Sequence, residues 1–395
     1  MCGGFGSRLK GISKGVPKSL IKINAKNFLE ILIKNFSRFK FKKILLLCHY
    51  KHNLFFRKFH KKTFNGLFVE CIKEKKPLGT LGALLNAKNK LDNFFLLSNG
   101  DTFFDINFLD LYNHFNYKKN LAIIATCQFN TNSKYRFQNI IIKKNKIKKL
   151  ILTKKRKQTA NSGVCIINKN ALRFSAKKDS SFDKDLLPKL ILKNKVQARL
   201  YKKKFIDIGT PKDLKYFKKY EEKITRKRAV FLDRDGVLNY DYNYVYKIKD
   251  FVWKKKVIQA IKFLNDNNYL VFVISNQSGI GRGYYHYKDV EKLHKWINSE
   301  LEKHSAKIDD FFYAPYYKNS KIKFSNKDKF LRKPNPGMIY LAKKKWKIDL
   351  NNSLVVGDSD ADYKLAKNLK LKFIKVNNKS NLFNIVKKYQ KLRKL

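Results

Sequence analysis

A short apolar run followed at once by acidic residues constrains the fold of this chain most. Residues 229–232 have the sequence AVFL, and the residues that follow are Asp233, Arg234, Asp235 and Gly236. Four consecutive apolar residues that end at a turn are typical of a strand buried on both faces, as in a parallel sheet. The glycine allows the chain to leave this strand sharply. The segment therefore predicts an α/β unit with carboxylates at the carboxyl end of a strand.

Apolar segments alternate with polar, helix-like segments on both sides of this run. In the second half, further strands are predicted at residues 270–274, 353–356 and 372–376, and helices at residues 256–265 and 289–303. In the first half, strands are predicted at residues 43–48, 94–98, 121–126 and 164–167, and helices at residues 27–39 and 81–90. The alternation predicts two doubly wound, Rossmann-like α/β domains at residues 1–222 and 229–395. The charged segment 221–228 is predicted to be a linker or the tail of a helix.

The formal net charge of +59 over 395 residues suggests nucleic-acid binding at first sight. However, the lysines are spread along the whole chain, and the other abundant residues, such as Phe, Tyr, Asn and Ile, share A/T-rich codons with lysine. A nucleic-acid surface needs a clustered basic footprint. We therefore attribute the charge to codon drift, predict no specific nucleic-acid partner, and expect the positive field to attract phosphorylated metabolites.

The cysteines and the apolar segments exclude several classes of protein. The chain has five cysteines, all in the first half, and none forms a CxxC pair. A disulfide framework is therefore not expected. No apolar run is long enough to cross a bilayer, and the start does not resemble a signal peptide. We expect a cytoplasmic protein without a membrane partner.

Four motifs in the second half predict phosphoryl transfer onto a carboxylate. Asp233 is placed to attack phosphorus, and Asp235 is placed to protonate the leaving oxygen and then to activate water. Hydroxyl and amide donors that follow the strand at 270–274 are predicted to hold the phosphoryl group; they are Ser275, Asn276, Gln277 and Ser278.

The last two motifs supply charge. Lys333 and Arg332 are predicted to neutralise the phosphoryl oxygens. Asp358 follows the strand at 353–356 and is predicted to hold Mg²⁺ together with Asp233 and the carbonyl of Asp235. The predicted catalytic set is Asp233, Asp235, Lys333 and Ser275.

These residues resemble those of the haloacid dehalogenase superfamily. Residues 229–378 are similar to D-glycero-D-manno-heptose 1,7-bisphosphate 7-phosphatases in the stretches FLDRDG (231–236), SNQSGIGRG (275–283) and RKPNPGM (332–338). The second stretch contains Arg282, which the resemblance places at the substrate. Histidinol phosphatases share this framework. Phosphatases of this type often carry a zinc-held loop of Cys and His, but residues 313–317 have the sequence YAPYY, so no zinc is predicted.

The first half opens with a glycine-rich loop and contains further phosphate-binding motifs. The loop glycines Gly3, Gly4 and Gly6 are predicted to cradle nucleotide phosphates, with Arg8 and Lys18 neutralising pyrophosphate. The motif PLGTLG, residues 77–82, adds Gly79 and Thr80 to the predicted substrate site, and Asp101 and Asp207 are predicted to hold a second Mg²⁺.

This half resembles sugar-1-phosphate nucleotidyltransferases, and D-glycero-α-D-manno-heptose 1-phosphate guanylyltransferases in particular. The resemblance places Lys155 and Asn161 at the sugar phosphate, but Lys154 stands where such proteins usually have Glu. A buried strand normally precedes the glycine loop, whereas only Met1 and Cys2 precede Gly3 here. We expect either a start that lies upstream or an eroding domain.

Together the resemblances imply consecutive activities. The second half would remove the 7-phosphate of heptose 1,7-bisphosphate, and the first half would join the product to GMP from GTP. The alternatives are a histidinol-phosphate phosphatase with a degenerate partner domain, a basic nucleic-acid-binding protein with decayed catalytic domains, and a first half that serves only for docking or regulation.

Overall fold

The structure is a computed structural model that describes residues 1–4, 9, 15–130, 137–153, 157–175, 180–320 and 322–392. The chain divides into two compact units, which we call unit 1 (Met1–Glu221) and unit 2 (Glu222–Leu395). In the described ranges, no helix is both long and apolar enough to cross a membrane.

Unit 1 is a mixed α/β structure. Its strands are β1 (Lys22–Ile23), β2 (Lys26–Asn27), β3 (Lys43–Cys48), β4 (Lys62–Phe64), β5 (Leu67–Lys73), β6 (Phe94–Ser98), β7 (Thr102–Phe104), β8 (Ala122–Asn130), β9 (Phe137–Lys143), β10 (Lys146–Thr153), β11 (Lys157–Asn168), β12 (Val196–Tyr201) and β13 (Phe205–Asp207). Its larger sheet has the order β6-β11-β8-β12-β10-β9, and a smaller sheet has the order β3-β5-β4. All four strands predicted in this half are present, and β8 and β11 are longer than predicted.

The helices of unit 1 cover the sheets and begin at recognisable caps. They are α1 (Phe28–Phe36), α2 (His52–Phe59), α3 (Gly79–Asn86), α4 (Phe108–Asn113), α5 (Leu187–Leu192) and α6 (Pro211–Thr225), with a π-helical turn at Phe182–Leu186. Asn27 starts α1 through a capping box with Glu30. The predicted charged segment 221–228 is the tail of α6 followed directly by the next strand.

Met1 and Cys2 lie between the six-stranded sheet and the three-stranded sheet of unit 1. The Cys2 backbone N–H donates to the Leu47 carbonyl of β3 at 2.9 Å, and the Gly100 N–H, just after β6, donates to the Met1 carbonyl at 2.9 Å. Within the described ranges, β3 and β6 are not paired with each other, and each ends its own sheet. This is the place where the sequence predicts a strand before Gly3.

Unit 2 contains one parallel sheet. Its strands are β14 (Lys227–Leu232), β15 (Leu270–Asn276), β16 (Asp310–Ala314), β17 (Ile348–Gly357) and β18 (Lys372–Lys375), in the order β16-β15-β14-β17-β18. Its helices are α7 (Val257–Asp266), α8 (Ser278–Gly281), α9 (Tyr287–Lys303), α10 (Asn326–Leu331), α11 (Gly337–Lys345), α12 (Asp360–Asn368) and α13 (Leu382–Leu392). Every strand pair is parallel, which confirms the doubly wound fold predicted for this half.

The central strand β14 is buried on both faces. Val230 and Leu232 belong to one apolar cluster together with Leu264 of α7. Phe231 belongs to a second cluster on the opposite face, together with Met338 of α11. Alternate side chains of a strand point to opposite faces, so two layers of helices are needed to cover this run. The same burial fixes the carboxyl end of β14, where Asp233 follows.

Candidate active sites

The site in unit 2 is built around Asp233, the first residue after the central strand. The backbone N–H of Asp233 donates to the Val356 carbonyl of β17 at 3.0 Å, so the residue is held where two neighbouring strands end. One carboxylate oxygen, Oδ1, accepts from the Arg234 N–H at 2.7 Å. The other oxygen, Oδ2, lies 2.7 Å from the Lys333 ammonium. The carboxylate is thus oriented by one backbone donor and one buried cation.

Lys333 joins two carboxylates inside the unit. Its Nζ atom also lies 2.7 Å from Oδ1 of Asp362, and both of these side chains are almost completely buried. Burial alone lowers the pKa of Lys333, but the charges of Asp233 and Asp362 outweigh it and raise this pKa above its usual value. Burial raises the pKa of Asp233, while the Lys333 charge partly offsets that rise. Lys333 therefore remains protonated beside Asp233.

Three carboxylates form a cluster suited to a hard cation. One oxygen each from Asp233, Asp358 and Asp362 lies within 4.8 Å of the others. Burial, and then the charge of Asp362, raises the pKa of Asp358, and the charge of Lys333 offsets only part of this rise. Oxygen ligands of this kind suit Mg²⁺. The residues present therefore fit a magnesium ion.

Gly236 gives Asp358 the space it occupies. The glycine has a φ of +75°, and a Cβ at this position would lie 1.8 Å from Oδ2 of Asp358. The Gly236 carbonyl in turn accepts from the buried Lys254 ammonium at 2.6 Å. The turn after the central strand is therefore shaped so that Asp358 can approach the backbone next to Asp233.

Asp235 lies in a separate set of hydrogen bonds. Its carboxylate accepts from the Arg234 guanidinium, with Nη2 at 2.7 Å from Oδ2, and from the Asn239 amide at 3.0 Å. The Gln277 amide donates to the same carboxylate at 3.1 Å. Arg234 is fully buried, and this fixes the direction of the Asp235 side chain. Both carboxylates of the DRDG segment are consequently rigid.

The residues at the end of β15 and directly after it mainly support this arrangement. Gln277 also donates to the Ser275 hydroxyl at 2.8 Å and accepts from the Tyr285 hydroxyl at 2.7 Å. Asn276 exchanges hydrogen bonds with the backbone of Lys333, accepting at 2.9 Å and donating at 3.2 Å. Ser278 begins the short helix α8. The amides of Asn276 and Gln277 are therefore engaged with protein groups, whereas the sequence predicted them at the phosphoryl group.

Two arginines form a positive pair on the loops outside the carboxylate cluster. The Arg282 guanidinium lies over the Tyr317 ring, 3.6 Å from its centroid. The Arg332 Nη1 atom donates to the Tyr316 carbonyl at 3.0 Å. Burial and the positive charge of Arg282 both lower the pKa of Arg332. Two neighbouring cations of this kind favour an anionic ligand.

The two predicted metal ligands of unit 1 lie side by side. Asp207 is directly opposite Thr102 in the β13–β7 pair, so it neighbours Asp101. The Ile208 N–H donates to the Asp101 carbonyl at 3.0 Å. The Lys18 ammonium lies 3.4 Å from the Asp101 carboxylate. These three predicted residues are thus brought together.

The glycine loop is described only in part. A Cβ on Gly3 would lie 3.1 Å from a carboxylate oxygen of Glu74, whereas no atom of the described residues lies within 4 Å of a Cβ on Gly4. The predicted residues Gly6, Arg8 and Lys155, as well as Lys154, lie outside the described residues.

The remaining predicted residues of unit 1 are engaged with other protein groups. Gly79 has a φ of +69°, and a Cβ there would lie 2.5 Å from the Ser180 carbonyl. The Thr80 hydroxyl accepts from the Phe182 N–H at 2.7 Å. The Asn161 amide donates to the Asp183 carboxylate at 2.8 Å. These contacts link α3 and β11 to the π-helical turn, which the sequence patterns did not indicate.

Two family profiles match the chain in succession. The profile described as Nucleotidyl transferase matches residues 1–223, which is more than half of the chain. The chain belongs to the nucleotidyl transferase family. A second profile, described as Polynucleotide kinase 3 phosphatase, matches residues 232–378.

Curated relatives align with the second half. The D-glycero-alpha-D-manno-heptose-1,7-bisphosphate 7-phosphatase of Photorhabdus laumondii is 42% identical over 135 residues, covering 34% of this chain and 74% of that protein. The D-glycero-beta-D-manno-heptose-1,7-bisphosphate 7-phosphatase of Rhodopseudomonas palustris is 41% identical over 142 residues, covering 36% of this chain and 79% of that protein. The second half is a member of the family of these phosphatases.

A solved structure matches the first half. HddC from Yersinia pseudotuberculosis, complexed with GMP-PN, has a TM-score of 0.50 and 26% identity, covering 56% of this chain and 96% of that protein. The nucleotidyltransferase and phosphatase resemblances predicted from the sequence are both confirmed.

Proposed function

We propose that this chain is a bifunctional enzyme of heptose-nucleotide biosynthesis. Unit 2 hydrolyses the 7-phosphate of D-glycero-D-manno-heptose 1,7-bisphosphate, and unit 1 transfers GMP from GTP to the resulting heptose 1-phosphate. The observation that carries the proposal is the placement of Asp233 beside Lys333 within the carboxylate cluster. The names of the relatives of unit 2 and the GMP-PN complex of HddC support the choice of substrates.

The phosphatase reaction proceeds in two displacements. An oxygen of Asp233 attacks phosphorus while the bond to the sugar oxygen breaks, and Asp235 gives that oxygen its proton. Asp235 then takes a proton from water, which attacks phosphorus and releases phosphate, regenerating the Asp233 carboxylate. The hydrogen bonds from Arg234 and Gln277 hold Asp235 in one direction for both steps.

The charges around the phosphoryl group come from Lys333 and from a magnesium ion. Asp233, Asp358 and the carbonyl of Asp235 would hold the ion, while Asp362 holds Lys333. When bound, Mg²⁺ neutralises charge on the phosphoryl oxygens. Lys333 orients Asp233 and offers a second positive charge on the same side.

The arginine pair gives unit 2 a place for a second anionic group. A bisphosphate carries one phosphate to Asp233 and leaves another to be bound. Arg282 and Arg332 supply two cations for it, because their proximity is unfavourable until an anion lies between them. Histidinol phosphate has only one phosphate, and its amino group is repelled by this pair.

The transferase reaction uses the paired carboxylates of unit 1. Asp101 and Asp207 would hold a magnesium ion, which would neutralise charge on the phosphates of the two substrates. A phosphate oxygen of heptose 1-phosphate attacks the α-phosphorus of GTP, and pyrophosphate leaves. Lys18 lies close enough to Asp101 to neutralise charge at the same phosphates.

The test measures phosphate release from heptose 1,7-bisphosphate and from histidinol phosphate with Mg²⁺ present. We expect the bisphosphate to be preferred, and Asp233→Asn to abolish its turnover. Asp360→Asn is the matched control, because that side chain is 71% exposed and, among the described residues, forms its ion pair with Lys364 at the surface. Equal or better turnover of histidinol phosphate would contradict the assignment. GTP-dependent formation of GDP-heptose from heptose 1-phosphate tests unit 1.

A further inference from the structure

Asn161, which the sequence places at the sugar phosphate, has both ends of its amide engaged with protein groups. Its Oδ1 atom accepts from the Gly163 N–H at 2.9 Å. Its Nδ2 atom donates to Oδ1 of Asp183 at 2.8 Å. An amide oriented in this way is better suited to fix a neighbour than to select a substrate.

Asp183 is held on the edge of the transferase site. It lies in the π-helical turn Phe182–Leu186, which is anchored to α3 by the hydrogen bond from Phe182 to Thr80. Its partner Asn161 precedes Gly163, whose carbonyl accepts from the Asn99 N–H at 3.1 Å. Asn99 is two residues from the metal ligand Asp101. The turn therefore lies between the phosphate motif of α3 and the carboxylate pair.

The Asp183 side chain is open to solvent and also lies close to other protein atoms. The residue is exposed to solvent, yet surrounding protein atoms displace enough water to raise the pKa of its carboxyl group. Oδ1 is engaged with Asn161, and for Oδ2 the described residues supply no hydrogen bond. Asp183 therefore presents one oriented acceptor to solvent.

The hydrogen bonds at the start of the turn do not involve the side chain of Asp183. Its opening is capped by another acid, because Oδ2 of Asp185 accepts from the Ser181 N–H at 2.6 Å. The Ser181 hydroxyl accepts from the Lys184 N–H at 3.3 Å. The backbone N–H groups of Ser181 and Lys184 thus have acceptors other than the side chain of Asp183.

We propose that Asp183 recognises the sugar in unit 1, accepting hydrogen bonds from hydroxyl groups of the sugar 1-phosphate, and that Asn161 is its positioning residue. A carboxylate can accept hydrogen bonds from two neighbouring hydroxyl groups. The ammonium of a lysine such as Lys154, which stands where related proteins usually have Glu, can only donate. This inference rests on the proposed transferase function and names the group that selects its acceptor substrate.

The test compares Asp183→Asn with Asp185→Asn in the full chain. We expect Asp183→Asn to raise the KM for heptose 1-phosphate about ten- to hundredfold, since a bond to a charged acceptor is lost, while the KM for GTP stays within about twofold. Asp185→Asn serves as the control for disturbance of the turn and should leave the ratio of the two KM values unchanged. Asp183→Glu keeps an acceptor and should retain part of the affinity.

A second readout uses sugar 1-phosphates that lack single hydroxyl groups. At least one such analogue should bind to the wild-type chain more weakly than the parent sugar does. The same analogue and the parent sugar should bind equally well to Asp183→Asn. An unchanged KM for the sugar in Asp183→Asn, or an equal rise for sugar and GTP, would overturn the inference while leaving the transferase function intact. If the wild-type chain transfers no GMP, the transferase function itself fails, and the inference fails with it.

Discussion

The ammonium of Lys333 lies 2.7 Å from the carboxylate of Asp233, at the end of the central strand of unit 2. Because Lys333 also contacts Asp362 at the same distance, one buried cation balances two buried carboxylates. We expect the contact to Asp233 to serve the proposed catalysis and the contact to Asp362 to serve folding. Substitutions can separate the two roles.

Lys333→Met should impair stability and activity together. Two carboxylates are left buried without their cation, which costs about 3–5 kcal/mol. The loss of positive charge at the phosphoryl group should lower kcat about 100- to 1,000-fold. Urea unfolding of unit 2 and phosphate release measure the two effects. Adding Asp362→Leu should recover part of the stability and none of the activity; a double variant that regains activity would argue against a direct role for Lys333.

Gly236→Ala should displace Asp358. A methyl group there would lie 1.8 Å from Oδ2 of Asp358, and the φ of +75° adds backbone strain of about 1–2 kcal/mol. Gly283→Ala is the matched control for stability, because Gly283 has a φ of +78° and the described residues place no atom within 4 Å of the added methyl. We expect Gly236→Ala to lose clearly more stability in urea than Gly283→Ala, together with weaker magnesium activation. Equal losses of stability in the two variants would mean that the Asp358 side chain moves away from the added methyl group at little energetic cost.

Removal of divalent cations should stop phosphate release. The carboxylate cluster of Asp233, Asp358 and Asp362 has raised pKa values at Asp233 and Asp358, mainly through burial, and a bound cation relieves their repulsion. We expect full loss of activity with EDTA and recovery with added Mg²⁺. Asp358→Asn should need a magnesium concentration at least about tenfold higher for half-maximal activity. Activity that persists in EDTA would contradict the assignment of the cluster.

His294 should make the stability of unit 2 depend on pH. Burial and the charge of Arg234 lower its pKa well below the usual value, and its ring is stacked on Phe311. The folded state therefore keeps His294 neutral, while the unfolded state binds a proton below about pH 6.5. The contribution of neutral His294 to the stability of unit 2 is therefore present above that pH and is lost as the pH falls.

The size of this effect follows from linkage. Between about pH 7.5 and about pH 5.5, His294 should cost unit 2 about 1.4 kcal/mol of unfolding free energy. The measurement is urea unfolding of the wild-type chain and of His294→Gln at both pH values. Between the two pH values, the unfolding free energy of His294→Gln should fall by about 1.4 kcal/mol less than that of the wild-type chain. Identical decreases would show that His294 is protonated in the folded chain.

Local patterns predicted the fold of unit 2 well. The run at 229–232 and the strands at 270–274 and 353–356 lie within β14, β15 and β17. Parallel strands bring their carboxyl ends to one edge, so residues that directly follow them could be located from sequence spacing alone. Asp233 and Asp358 were found in this way.

Contacts between distant segments could not be predicted in this way. The bond from Lys333 to Asp362 and the bonds of Gln277 to Asp235 and Tyr285 depend on which side chains meet across the sheet edge. The sequence analysis therefore gave Asp362 no role, and it predicted Gln277 at the phosphoryl group without indicating the hydrogen bond from Gln277 to Asp235. In unit 1, the hydrogen bond from Asn161 to Asp183 could not be predicted for the same reason, because the two residues lie on different elements.

All five cysteines are buried and carry free thiols, and all of them belong to unit 1. Alkylation of a native sample should therefore be slow and should report only molecules in which that unit has opened. Unit 2 contributes no thiol to the signal. The cysteines of this chain therefore serve as a chemical probe of local opening in unit 1, and alkylation gives no signal from unit 2.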